Sequence, residues 1–294
     1  MVSKRVNAIA TAAYGAWHGG GVDLAGMREG FDRMLPGPAP DAVVKDVVVG
    51  GVPGRQVEVG EPGPATLLYL HGGGFMLGSS AGYADLGARI ARTARARVLL
   101  LDYSLAPERP FPAAYDDVLA AYHALLNHGA DPDHLVLAGD SAGGGLALAA
   151  LVGLRDAGDP LPACAVLLSP FADLTLSGDT IELFAEADPV SSRESAEQMV
   201  AGYLAGADPR DVRASPLFGD LKGLPPLLVQ VGTSDILLAD AVRVAERARG
   251  AGVSVDLQVA YEMVHVYQLF AHELPEAQEA IEAIGRFVQS CVAK

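Results

Sequence analysis

The chain has 294 residues, of which 50% are hydrophobic and 19% are charged. This composition excludes a disordered polypeptide, because a chain this long and this apolar can bury about three-quarters of its unfolded surface. Lys and Arg total 21 against 36 Asp and Glu, so the net charge of -15 disfavours nucleic acid and anionic membrane surfaces as partners.

Short runs rich in valine and leucine alternate along the chain with segments of helical spacing. The first two runs, Val47–Val52 and Arg55–Val59, are joined through Pro53-Gly54 and predict a hairpin at one edge of a sheet. Further strands are predicted at Thr66–Leu70, Val98–Leu101, His134–Ala138, Ala165–Leu168, Leu227–Val231 and Val255–Val259. Helices are predicted at Leu24–Leu35, Ala84–Ala96, Ala113–Asn127, Gly144–Ala157, Ala239–Ala251 and Pro275–Val292. This alternation predicts an α/β fold with a mainly parallel, doubly wound sheet and right-handed crossovers.

Two stretches do not fit the alternation of strand and helix. Residues 1–40 are helix-like and end in the proline-rich Pro36–Pro40, and residues 179–220 lie between two predicted strands. Because neither stretch supplies a strand, we expect both to form a small helical cap. The catalytic domain would then comprise residues 41–178 and 221–294.

Other features of the sequence bear on localisation. Cys164 and Cys291 do not suggest a disulfide framework or a cysteine-based zinc site. The run Ala8–Trp17 is diluted by polar residues, so a helix is expected there rather than a signal peptide. The uncharged run Ser141–Leu154 is too short and too glycine-rich to cross a bilayer. A cytoplasmic protein without a stable membrane anchor is therefore predicted.

A candidate nucleophile follows the strand His134–Ala138. The segment Gly139-Asp140-Ser141-Ala142-Gly143 has the G-x-S-x-G pattern and opens the helix Gly144–Ala157. Small residues beside the serine permit a sharp strand-to-helix turn that lifts the hydroxyl clear of the sheet, at the positive end of a helix. Ser80 lies in a second match to the pattern, but it follows a glycine-rich loop rather than a strand. Ser141 is therefore the predicted nucleophile.

A second motif, His71-Gly72-Gly73-Gly74-Phe75, directly follows the strand Thr66–Leu70. Three consecutive glycines leave their backbone N–H groups unshielded. Together with the N–H of Ala142, the amides of Gly72, Gly73 and Gly74 are predicted to form an oxyanion hole. A phosphate-binding loop is disfavoured because neither a Walker lysine nor a G-x-G-x-x-G pattern is present here. His71 is expected to anchor the loop through a hydrogen bond.

A serine nucleophile needs a base, and the base needs a carboxylate to orient it. Asp235 follows the strand Leu227–Val231, and His265 follows the last predicted strand. The order Ser, Asp, His along the chain is that of the α/β-hydrolases. Two alternatives remain open: Asp240, which lies further from its strand, and His272, which lies close to the final helix.

These motifs resemble those of the bacterial hormone-sensitive lipase family of α/β-hydrolases, in the branch whose serine motif reads G-D-S-A-G. The matching segments are His71–Gly74, Asp102–Glu108, Pro110–Ala113, Gly139–Gly144, Ser169–Asp173, Gly223–Pro226 and His265. The resemblance spans nearly all of the chain beyond its first forty residues. The sequence departs from the family at Ser104, where the family commonly has arginine, and at Val266-Tyr267, where it often has glycine and phenylalanine.

The resemblance implies a carboxylesterase or lipase that acts on short-to-medium acyl esters and needs no metal or cofactor. Its partner would be a small-molecule ester. Separately from the resemblance, the edge strands and the final helix offer surfaces for a homodimer. Two alternatives use the same fold: a lactone or amide hydrolase with the same triad, and a small-molecule receptor without catalysis. Because the base must be neutral, activity is expected to rise with pH near the ordinary imidazole pKa of about 6.5.

Overall fold

The computed structural model describes residues 4–15, 23–185 and 188–292. The strands, numbered along the chain, are β1 Ala42–Val49, β2 Val52–Val59, β3 Thr66–Leu70, β4 Arg97–Leu101, β5 Leu135–Asp140, β6 Cys164–Leu168, β7 Leu227–Gly232 and β8 Val255–Ala260. The α-helices are α1 Lys4–Gly15, α2 Leu24–Met34, α3 Ala84–Ala94, α4 Ala113–Asn127, α5 Ala142–Ala157, α6 Thr180–Leu183, α7 Arg193–Leu204, α8 Leu238–Gly250 and α9 Pro275–Val292. Short 3-10 helices cover Pro132–His134, Pro216–Phe218 and Tyr267–Phe270.

Within the described ranges, eight strands form one sheet in the order β1-β2-β4-β3-β5-β6-β7-β8. Strand β2 is antiparallel to both β1 and β4, and the remaining neighbours are parallel. Strand β3 has β4, the next strand along the chain, on one side and β5 on the other side. The direction in which strands are added to the sheet therefore reverses at β3. In such sheets ligands bind in the crevice at this switch point, outside the carboxyl ends of the strands. The predicted fold class is confirmed.

The hairpin at the edge of the sheet turns at a different place from the one predicted. Val49 pairs with Val52, so the turn is Gly50-Gly51, with φ angles of +63° and +86°. A tight hairpin turn needs positive φ at both central residues, which glycine adopts freely and proline cannot. Pro53-Gly54 instead lies inside β2, where Gly54 pairs with Leu101. The predicted turn at Pro53-Gly54 is wrong.

The strand that precedes the candidate nucleophile also differs from its prediction. His134 belongs to a 3-10 turn, and β5 runs from Leu135 to Asp140 rather than ending at Ala138. Helix α5 begins at Ala142, before the predicted start at Gly144. Strand and helix therefore meet at Ser141 alone. Gly143, Gly144 and Gly145 lower the intrinsic helix propensity of this segment. The helix forms nevertheless because all three glycines are buried in the core, and tertiary packing outweighs propensity.

The central strands β3 to β7 are buried on both faces, which explains their runs of Val and Leu without alternation, whereas the edge strands β1 and β8 are partly exposed. Along β5, Leu137 packs into the cluster beneath α4, α5 and α8, whereas Val136 packs into the cluster beneath α3 and α9. Leu167 and Val166 of β6 divide between the faces in the same way. A covered parallel sheet holds its strand ends rigidly, and this positions the loops that follow them.

The two stretches set apart in the sequence contribute α1, α2, α6 and α7, and they meet the loop after β3. Arg28 of α2 donates a hydrogen bond to the carbonyl of Met76 at 2.8 Å. Tyr203 of α7 stacks on Phe75 with ring centroids 3.8 Å apart. The division into cap and catalytic domain stays a prediction, and residues 1–3, 16–22, 186, 187, 293 and 294 lie outside the part of the chain that the structure describes.

The run Ala8–Trp17 is helical as far as Gly15, and its last two residues are outside the described ranges. Among the described helices, none combines the length and the apolar character required to span a bilayer.

Candidate active site

Ser141 occupies a strained turn between β5 and α5. Its backbone angles are φ 50° and ψ -119°, a region that residues with a side chain rarely adopt. The turn brings backbones into contact, since a Cβ atom at Gly143 would overlap the carbonyl oxygen of Leu70. The Ser141 N–H donates to the Leu168 carbonyl at 2.8 Å, which fixes the turn against β6. The serine hydroxyl is thereby held at the carboxyl edge of the sheet.

The structure brings together the three side chains that the strand ends predicted. Ser141 Oγ lies 2.9 Å from His265 Nε2, and His265 Nδ1 lies 3.0 and 3.1 Å from the two carboxylate oxygens of Asp235. All three side chains are buried, Asp235 completely. The N–H of Leu237 also donates to Asp235 at 2.8 Å and helps to orient the carboxylate.

The electrostatics of His265 differ from the expectation based on an ordinary imidazole. Burial is the largest single influence and opposes a charge on the ring, but the charge and hydrogen bond of Asp235, together with other carboxylates, outweigh it and raise the pKa of His265 to about 9. The charges of Asp188 and Asp140 act in the same direction. The expected pH dependence near 6.5 is therefore displaced upward, because three carboxylates surround the ring.

The glycine loop after β3 lies beside the serine, but its three amides are not equivalent. Gly72 N–H donates to the carboxylate of Asp140 at 3.0 Å and lies 3.1 Å from the Tyr83 hydroxyl. No acceptor among the described residues takes the N–H groups of Gly73, Gly74 or Ala142. The expectation that Gly72 supplies an oxyanion donor is therefore corrected: its amide is already committed to positioning the loop.

Asp140 joins the glycine loop to the serine turn, a role that the motif alone did not reveal. Its carboxylate accepts hydrogen bonds from Tyr69 and Tyr83, both at 2.9 Å, in addition to Gly72. Burial raises the pKa of Asp140 to about 6, although these donors stabilise its charge. Its position next to Ser141 was visible in the sequence, but its partners depend on the tertiary fold.

A pocket with about 410 Å³ of empty space opens onto Ser141 and His265. The apolar residues in its lining are Phe31, Leu77, Val190, Met199, Val266 and Leu269. Met199 of α7 reaches the glycine loop, where a Cβ atom at Gly74 would overlap its sulfur. Helices α2 and α7 therefore supply part of the pocket wall, and the chemistry comes from the strand ends.

The alternative residues have other partners. Ser80 Oγ donates to Asp102 at 2.8 Å rather than to a histidine. Asp240 accepts the N–H groups of Ala172 and Asp173 at 3.0 and 2.9 Å and is not bonded to a histidine. His272 pairs at 3.4 Å with Glu273. None of the three alternatives meets the serine turn.

His71 fixes the glycine loop, in keeping with its expected role. Its Nδ1 lies 2.8 Å from the carbonyl of Gly72, and its ring stacks on Tyr103 with centroids 4.4 Å apart. The Tyr103 hydroxyl donates to the His71 carbonyl at 2.6 Å. Burial lowers the pKa of His71, which favours a neutral ring at this position.

The two departures from the family pattern have local consequences. Val266 holds a left-handed conformation with φ 44°, which is costly for a β-branched side chain, and its N–H donates to Ser169 Oγ at 3.2 Å. The side chain of Val266 lines the pocket where glycine would leave space. Ser104 binds Asp117 through both its backbone N–H and its hydroxyl.

This combination of sheet, strained serine turn and histidine loop defines an α/β-hydrolase. The sequence profile of the α/β-hydrolase fold family matches residues 67–269. An acetyl-hydrolase of Streptomyces hygroscopicus is 41% identical over 95% of this chain and 94% of its own length. An esterase of Acinetobacter venetianus is 36% identical over 88% of this chain and 85% of its own length.

Solved structures agree. The crystal structure of an esterase from the bacterial hormone-sensitive lipase family superimposes with a TM-score of 0.96 at 42% identity, covering 99% of this chain and 100% of that one. The chain belongs to the α/β-hydrolase fold family, in its bacterial hormone-sensitive lipase branch. It is a carboxylic ester hydrolase.

Proposed function

We propose that the chain is a serine carboxylesterase that hydrolyses short-to-medium acyl esters through a covalent acyl-enzyme. The observation that carries this proposal is the hydrogen-bonded series from Ser141 to His265 to Asp235, held at a strained turn. A receptor that merely bound an ester would need neither the strained backbone nor an imidazole at 2.9 Å from the hydroxyl.

In the first half of the proposed reaction, Ser141 Oγ attacks the carbonyl carbon of the ester while His265 Nε2 takes the hydroxyl proton. Asp235 accepts the hydrogen bond from Nδ1–H, which selects the tautomer with a free Nε2 lone pair and stabilises the imidazolium. When the tetrahedral intermediate collapses, His265 returns the proton to the departing alkoxide. The products of this half are an alcohol and an ester of Ser141.

In the second half, water replaces the alcohol. His265 removes a proton from the water as its oxygen attacks the acyl carbon, and then protonates Ser141 Oγ as the carboxylic acid leaves. The base works only when neutral, so the raised pKa of His265 sets the lower limit of the active pH range. No cofactor is required by this proton balance.

The negative charge that develops on the carbonyl oxygen needs donors that are already in place. The N–H groups of Gly73, Gly74 and Ala142 are proposed as the oxyanion hole, because no acceptor in the described ranges takes them and both glycines line the same pocket as Ser141. Each such donor is worth on the order of 10²–10³ in rate. Gly72 and Asp140 are proposed to hold these donors in position rather than to contact the substrate.

The pocket wall supports a preference for small acyl groups. Phe31 and Met199 from the cap stretches and Val266 from the histidine loop line the pocket that also contains Ser141. The name of the acetyl-hydrolase relative points in the same direction. We propose that acetyl to butyryl esters fit best and that longer chains must displace Met199.

The test is a series of aryl esters of increasing acyl length with the wild type, Ser141→Ala and Ser80→Ala. The wild type and Ser80→Ala are expected to hydrolyse the short esters and to be labelled by a fluorophosphonate. Ser141→Ala is expected to do neither. Labelling of Ser141→Ala would refute the proposed nucleophile, and a wild type that cleaves lactones or anilides faster than esters would refute the proposed substrate class.

A further inference from the structure

One of the three carboxylates around His265, that of Asp188, has no part in the proposed mechanism and lies near Asp235. Asp188 belongs to the segment between α6 and α7 and is only 6% exposed. Burial and the negative charge of Asp235 raise the pKa of Asp188 to about 7. A buried acid costs free energy unless its hydrogen bonds are satisfied. Its partners therefore indicate what it does.

The hydrogen bonds of Asp188 join two parts of the active site. One carboxylate oxygen accepts the N–H of Ile236 at 3.1 Å, and Ile236 directly follows Asp235. The other oxygen accepts the N–H groups of Val190 at 2.8 Å and Ser191 at 3.3 Å, and both residues line the pocket. One side chain therefore holds the turn that carries the triad acid and a wall of the pocket.

A second side chain, that of Thr180, binds the other polar backbone group of Ile236. Thr180 Oγ1 donates to the carbonyl of Ile236 at 2.7 Å and accepts the N–H of Ala239 at 3.0 Å. Leu237, the next residue, donates to Asp235. Because both polar backbone groups of Ile236 are bound by side chains of the segment 179–191, the orientation of Asp235 depends on that segment.

Asp188 also contributes its charge to the base. The groups that face His265 are Asp235 from the turn after β7, Asp140 from the end of β5 and Asp188 from the inserted segment. Asp188 itself faces Asp235 and His265. Each of these negative charges favours the imidazolium over the neutral ring. Removing the charge at Asp188 is therefore expected to lower the pKa of His265.

We propose that Asp188 is a positioning residue for the esterase reaction, which aligns the Asp235 turn with the pocket wall and strengthens His265 as a base. This inference rests on the proposed triad chemistry. It assigns a role in catalysis to the segment between β6 and β7, beyond covering the pocket.

The test compares kcat, KM and the pH profile of kcat/KM in the wild type and Asp188→Asn. The amide keeps the shape of the side chain but replaces an acceptor oxygen with a donor and removes the charge. We expect kcat to fall about tenfold or more with a smaller change in KM, since misalignment by about 1 Å can cost two orders of magnitude. We also expect the midpoint of the acid limb to move down by about 0.5–1 pH unit.

The matched control is Asp240→Asn, another buried aspartate that accepts two backbone N–H groups but pairs with Arg243. It is expected to lower the thermal midpoint without moving the acid limb. Thr180→Val tests positioning separately, because it releases the Ile236 carbonyl and leaves every charge in place. We expect it to lower kcat with an unchanged acid limb, and this result decides the positioning role if Asp188→Asn does not fold.

The inference is overturned if folded Asp188→Asn keeps kcat within twofold of the wild type and has the same acid limb. It is overturned equally if Asp188→Asn does not fold and Thr180→Val has wild-type kinetics. Both outcomes are distinct from failure of the proposed function, in which the wild type itself would neither hydrolyse esters nor react with a fluorophosphonate.

Discussion

Replacing Met199 with alanine tests whether α7 limits the length of the acyl chain. Met199 lines the pocket with its sulfur against Gly74, so the side chain lies next to the loop proposed to bind the oxyanion. Alanine keeps Cβ and removes Cγ, Sδ and Cε. The space released is equivalent to about two methylene groups of a substrate chain.

The magnitude follows from the burial of those methylenes. Each one is worth about 0.8 kcal/mol, or about fourfold in kcat/KM, when it moves from water into an apolar pocket. Partial collapse of the pocket reduces the gain, so the ratio of kcat/KM for hexanoyl over butyryl aryl esters should rise about tenfold in Met199→Ala. Because the ratio is taken within one variant, any general loss from a less firmly held Gly74 cancels.

Gln198→Ala is the matched control, since Gln198 is its exposed neighbour on α7. Its hexanoyl-to-butyryl ratio should equal that of the wild type. If the ratio in Met199→Ala were also unchanged, or if it fell, Met199 would not bound the acyl site. The acyl chain would then occupy a different side of the pocket.

Further predictions concern the base, the glycine loop and the buried ion pair. The acid limb of kcat/KM should have its midpoint above pH 6.5, because the pKa of His265 is raised to about 9. A stopped assay over a range of pH measures this midpoint. A midpoint at or below pH 6.5 would contradict the effect of the three carboxylates on His265. Asp140→Asn should lower kcat by about 10²-fold with little change in KM, since misplacing one oxyanion donor costs on that order. A wild-type kcat in steady-state kinetics would refute the role of Asp140 in positioning the glycine loop. Arg243→Ala leaves Asp173 and Asp240 buried without their cation. The free energy of unfolding in urea should fall by about 3 kcal/mol. A loss under about 1 kcal/mol would show that these ion pairs contribute little to stability.

The sequence predicted the triad because the predictive signal is local. Ser141, Asp235 and His265 follow the strands β5, β7 and β8, and the carboxyl ends of parallel strands meet at one edge. The edge hairpin shows where local signals mislead. Pro53-Gly54 has the composition of a turn, but Gly50-Gly51 has the backbone angles that a two-residue hairpin requires.

The remaining features of the site depend on distant contacts. Whether the amide of Gly72 is free depends on Asp140 and Tyr83, which are far from it in sequence. Asp188 binds Val190 in its own segment and Ile236, which is 48 residues away, and nothing in its own segment marks it as part of an active site. The spacing of apolar residues predicts where helices form. It does not predict that Phe31 and Met199 line the same pocket as Ser141.

We propose that Ser141 alone attacks the substrate and that His265 activates it. The decisive experiment is fluorophosphonate treatment of the wild type, followed by intact mass measurement and peptide mapping. A single adduct is expected on Ser141, formed at a rate that increases as His265 loses its proton and that collapses in His265→Ala. An adduct on any other residue, or undiminished labelling of His265→Ala, would contradict it.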